Sequence, residues 1–194
     1  MPLGRLPEAA GALERALKED PLNLICRTQL GVLLWALGRD EDASSQFRQV
    51  LEIDGDFWLA LMVQSVRQLF AGRLTEALRL AERSYSVAPS MPSAIGTFAA
   101  TLHQTGETER AKAVLEKLGD GRAHGSAMGF AAFYQGCLEL DKAAEWVALA
   151  IDERDPNTFP IMCGPGRRLW ESSGHWQSLA RMMNLPESAT SQSA

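Results

Sequence analysis

A chain of 194 residues, 46% hydrophobic and 22% charged, is long enough to bury a sizeable core. Its net charge of −5 argues against a nucleic-acid face, which needs clustered Lys and Arg. No apolar run approaches the roughly 18 residues of a membrane span. Alanine and leucine outnumber β-branched residues, so helix is expected throughout. Met1-Pro2-Leu3-Gly4-Arg5 lacks the apolar core of a signal peptide. Cys26, Cys137 and Cys163 are odd in number and far apart, matching neither a metal pair nor a disulfide set. They read as three small buried hydrophobes in a reduced, cytoplasmic protein.

In chain order, a helix is expected from about Pro7 to Lys18, preceded by Gly4. Gly4, Gly38, Gly72 and Gly106 then recur at a 34-residue spacing. Five residues after each comes an alanine: Ala9, Ala43, Ala77 and Ala111. Four further on lies Leu13, Phe47, Ala81 or Leu115, and each segment closes at Pro21, Gly55, Pro89 or Ala123. A fifth copy is read with Ala144, Ala148, Ile151 and Pro156, and with Glu139 at the turn in place of glycine. Glycine ends a helix by accepting a left-handed backbone. A small residue lets two helix axes approach closely, and proline stops the second helix. Each copy is therefore a helix–turn–helix hairpin. Its first helix carries a small residue at the crossing: Leu30-Gly31, Gln64-Ser65, Phe98-Ala99 and Ala131-Ala132.

These marks, repeated in phase from about residue 3 to 158, resemble the tetratricopeptide repeat family. Arg27, Leu61, Ile95 and Met128 stand where that family favours an aromatic or leucine, and Gln64 where leucine is usual. The resemblance implies an all-α fold, a right-handed superhelical α-solenoid of tetratricopeptide helix hairpins with a short C-terminal helical cap. The expected boundaries are an array over 1–158, made of a partial repeat 1–23 and repeats 24–57, 58–91, 92–124 and 125–158, then a connector, cap and frayed tail over 159–194. Because the chain begins at a turn glycine, a first helix is missing from repeat one, as in a fragment of a longer protein or an end covered by a subunit.

The connector, Asn157 to Gly166, holds Pro160, Pro165, Gly164 and Gly166. Two short helices follow, with Leu169, Trp176 and Leu179 expected to cover repeat five. Glu145-Trp146, Glu153-Arg154-Asp155-Pro156 and Arg181-Met182-Met183-Asn184-Leu185-Pro186 resemble the C-terminal end of bacterial tetratricopeptide proteins, whose arrays often follow a serine/threonine kinase or a winged-helix domain. That similarity implies a bacterial regulatory protein.

No catalytic set emerges. His103, His124 and His175 are dispersed, and none sits at metal-ligand spacing from another His or from a Cys. Gly164-Pro165-Gly166 lacks the Lys-Ser/Thr of a phosphate loop, and no Gly-x-Ser-x-Gly elbow exists. Asp40-Glu41-Asp42 opens a helix, where acids complement the dipole. The expectation is no enzyme and no cofactor or metal.

In the family the first helices line the concave face. The residues that this register directs inward, and that form the candidate peptide groove, are Ile25, Thr28, Val32, Trp35, Leu59, Met62, Val66, Leu69, Phe70, His103 and Phe133. Small residues continue the row at Ser93, Gly96, Ala100, Ser126, Gly129, Gly136 and Cys137. The Lys, Asn and Arg that clamp a chaperone carboxylate in other members are absent from these positions. The expected partner is another polypeptide, bound as a helix or extended segment in an apolar groove. The alternatives are a homodimer through that groove or the N-terminus, and the regulatory end of an enzyme such as a kinase.

Overall fold

The structure, a computed structural model, describes residues 6–155, 158 and 166–184. Among them are eleven α-helices, one 3-10 turn and no strand. The chain divides into two compact units, one of residues up to Gly55 together with those from Phe159, the other of Asp56–Thr158.

The first unit holds α1 (Leu6–Glu19), α2 (Leu24–Ala36) and α3 (Asp40–Ile53). α1 buries Leu6, Ala9 and Ala10 and packs on α2. Asn23 starts α2, its side-chain oxygen accepting the Cys26 backbone N–H at 2.9 Å. α2 and α3 then pair through unequal partners. A Cβ on Gly31 would lie 2.7 Å from the Phe47 ring, which is fully buried. The missing side chain on one helix makes room for the large one on the other. Arg27, where an aromatic or leucine is expected, also joins the pair: it donates to Gln49 at 2.6 Å, to Gln46 at 3.1 Å and to the Pro21 carbonyl at 2.8 Å. α10 (Gly166–Ser173) and α11 (Trp176–Met182) complete this unit and bury Trp170, Trp176, Leu179 and Ala180. Most of the expected connector, with Cys163, and the tail from Glu187 lie outside the described residues.

The second unit runs α4 (Trp58–Phe70), α5 (Leu74–Val87), α6 (Pro92–Gln104), α7 (Thr108–Leu115), a 3-10 turn at Glu116–Leu118, α8 (Ser126–Gly136) and α9 (Leu140–Asp152). Ala77 and Ala111 sit at the helix crossings with almost no exposed surface. Ser65, the small residue of α4, donates to the Ala77 carbonyl at 2.8 Å, and Ser84 donates to the Trp58 carbonyl at 2.8 Å. Both hydroxyls are thereby satisfied inside the crossing. A core of Ala81, Ile95, Phe98, Ala99, Leu102, Ala111, Val114 and Leu118 lies between α5, α6 and α7.

Because the crossings are filled, Ala77→Leu and Ala111→Leu should each destabilise by ~1–3 kcal/mol, as overpacking does. Arg79, whose ion pair with Glu76 is exposed on both sides, is the control. Its change to Ala should cost about 0.5 kcal/mol or less. Urea titrations with matched slopes would show the contrast; alanine changes as silent as the control would refute the crossing register.

The last repeat departs from the sequence reading. Gly38, Gly72 and Gly106 have φ of 75°, 72° and 89°, and the residue that takes this left-handed place after α8 is Leu138 at φ 62°, not Glu139. The turn bonds agree: Gly106 and Glu107 donate to His103 and Leu102, as Leu138 and Glu139 donate to Gln135 and Tyr134. One residue of shift follows through the repeat. The crossing alanine of α9 is Ala143, fully buried, rather than Ala144, and the small residue of α8 is Ala131, fully buried, rather than Ala132. The cause lies upstream. α7 is only eight residues long and ends in the 3-10 turn and Gly119 at φ 63°, which resets the chain before α8.

Candidate protein-interaction surface

The candidate groove residues fall into three kinds of place. Thr28, Val32 and Leu69 are buried, so these three belong to the core and not to an open face. Thr28 spends its hydroxyl on the Leu24 carbonyl at 2.7 Å, a bond within its own helix. Ile25 is 60% exposed and His103 is exposed. Trp35, Leu59, Met62, Val66, Phe70 and Phe133 are half-buried.

In the first unit the candidates of α2 that reach the surface are thus Ile25 and Trp35, with Leu22 in the preceding turn 70% exposed. In the second unit α4 buries Ala60, Leu61, Val63, Ser65 and Leu69, which are spread around the helix. Leu59, Met62, Val66 and Phe70 repeat every three or four residues along one side of it and are only half-covered. This row makes α4 more apolar than a single core-facing stripe requires.

His103 and Phe133 come together from α6 and α8, ring edge to face at 6.2 Å, and Phe133 meets Tyr134 at 5.1 Å. Lys142 lies over the Tyr134 ring at 5.2 Å and bonds to Glu139 at 2.5 Å. Phe133 itself packs against the core formed by α5, α6 and α7. With the shifted register, the residue that corresponds to Val66 and Ala100 is Ala132, and Phe133 is its neighbour. Cys137, half-buried next to this group, has its thiol pushed up to about 12 by burial first and by Glu139 second. It is a neutral thiol with no nucleophilic poise.

The sequence reading missed Leu138. It is a leucine in a left-handed conformation and 57% exposed, at the place where three earlier turns use glycine. The signal was available: the 34-residue glycine spacing fails once, and the nearby Gly136 falls two residues short of the turn position, at the end of α8. Leu138→Gly should stabilise the protein by about 1 kcal/mol, because the left-handed backbone costs a side chain that much and little packing is lost. A fall in urea midpoint on making this change would show that Leu138 packs more than its exposure indicates.

Among the described residues, no group of three or more His, Cys, Asp or Glu is placed to hold a metal ion, and no helix is long and apolar enough to cross a membrane.

Residues 3–64 match the family model for the tetratricopeptide repeat. A solved structure of a tetratricopeptide repeat protein from Parabacteroides merdae superimposes with a TM-score of 0.52 over 96% of this chain and 70% of its own, at 17% identity. That likeness is one of fold. No curated protein matches the chain.

Proposed function

Taking the chain as an array of tetratricopeptide repeats, we propose that it binds another polypeptide, as part of a larger regulatory protein of the bacterial cytoplasm. Repeats of this kind generally mediate contacts between proteins. The observation that carries the reading is the half-covered apolar row of α4, Leu59, Met62, Val66 and Phe70. Large apolar side chains in a row on a surface helix mark a contact site. In the first unit, Ile25 and Trp35 on α2 are the corresponding candidates. The regulatory context rests on the C-terminal resemblance alone.

The partner is to be captured from the source organism and its binding segment mapped as a peptide. Phe70→Ala or Trp35→Ala should then weaken that peptide about tenfold to a hundredfold, since a central aromatic anchor contributes ~2 kcal/mol or more and 1.4 kcal/mol is a decade. Ser93→Ala, on α6, should leave binding unchanged. A variant that keeps its melting temperature and loses binding supports the surface. Two variants that fold normally and bind as wild type does would end the proposal. Light scattering of the chain alone separates this reading from self-association, in which the same α4 face would join two copies.

A further inference from the structure

We infer that the inner face of α6 is sealed by the chain itself along Gly96 to Ala100, and that a polypeptide engaging the second unit does so without touching that stretch. This deepens the reading above by removing the middle of one of the helices on which a concave groove would be built.

The first observation is burial around the whole circumference of a helix. Nine consecutive residues, Ala94 to Leu102, are buried. Nine residues span two and a half turns, so every direction around the middle of α6 is covered. One side is the core against α5 and α7. The other is the side on which Gly96 and Ala100 lie, the positions that a groove would expose.

The second observation is what covers that side. α8 lies directly on α6: a Cβ on Gly96 would come within 1.9 Å of the Gly129 carbonyl oxygen, and a Cβ on Gly136 within 2.7 Å of the Ala100 Cβ. Leu69 of α4 also reaches this place, 3.3 Å from that Gly136 position. α4 and α8 therefore meet over α6. On the far side, Leu118 of the 3-10 turn comes within 2.7 Å of a Cβ on Gly129. Gln104 closes the end of the seam by donating to the Gly136 carbonyl at 3.0 Å.

Small residues at 96, 100, 129 and 136 thus do not leave space for a ligand; they remove the space. Ligand contacts of this unit are confined to side chains outside the seam, such as Met62, Val66, Phe70 and His103.

The test needs no partner, so its failure is distinct from a failure to find one. In a full-length background with Cys26, Cys137 and Cys163 changed to alanine, Ala100→Cys and His103→Cys are labelled separately with a maleimide under native conditions. Both lie on α6, one inside the seam and one outside it. A sealed face exposes residue 100 only in rare openings, so its thiol should react more than about a hundredfold more slowly than that at 103. A smaller ratio, with circular dichroism unchanged, would overturn the inference, because the face would then open readily enough for a peptide to enter. If Ala100→Cys disturbs folding, Leu69→Cys reports on the same seam by shortening a side chain, with the same threshold.

Discussion

Gly96→Ala is expected to destabilise the protein by about 3 kcal/mol or more, the upper end of overpacking effects. The added carbon would stand 1.9 Å from the Gly129 carbonyl oxygen. That atom belongs to the backbone of α8, so no rotamer change relieves the clash, and α8 as a whole must move away. Its movement would also loosen Leu118, which lies against Gly129, and Ala100, which lies against Gly136. Gly11→Ala in α1 is the internal contrast. There the new carbon meets only the end of the flexible Arg15 side chain at 3.7 Å, and the helix gains about 0.5–1 kcal/mol from the alanine. One chemical change made at two helical glycines should thus shift the urea midpoint in opposite directions. Equal shifts would mean that the α6–α8 contact is looser than described.

Phe47→Ala should cost ~3–5 kcal/mol, as for a fully buried aromatic. Phe47 has no exposed surface and its ring fills the space over Gly31. The pair gives a sharper test than either residue alone. Gly31→Ala by itself should cost ~1–3 kcal/mol, because the ring is in the way. In a Phe47→Leu background the same change should cost clearly less, since the ring atoms it meets are gone. Residues in contact couple in this manner by ~0.5–3 kcal/mol. Additive costs in the double-mutant cycle would show that the two side chains do not share one space.

The hairpin repeat was legible because its marks are local. Ala43, Ala77 and Ala111 each lie five residues after a turn glycine, and every one is buried at a crossing. The turn and the crossing are set by residues within one hairpin, so short-range spacing reports them. The last repeat was read one residue late. Its offset depends on how α7 ends, in a 3-10 turn at Glu116–Leu118, and nothing in the glycine spacing records a helix that stops early.

The candidate surface was less legible than the fold. A register tells which way a side chain points from its own helix, and it directed Thr28, Val32 and Leu69 inward. Whether such a row meets solvent or protein depends on how near the neighbouring helices come. Leu69 is covered because α8 comes close, and α8 comes close because Gly129 and Gly136 have no side chains. The absence of charge from Ser93 to Leu102 and from Ser126 to Gly136 was visible in the chain as a sign of full burial, yet the same composition fits a small, uncharged groove. By itself the sequence determined the helices, the turns that join them and the crossings within each hairpin, all of which follow from contacts near in sequence. Only the tertiary structure decided that α4 and α8 close over α6, because that depends on atoms far apart in the chain meeting where side chains are missing.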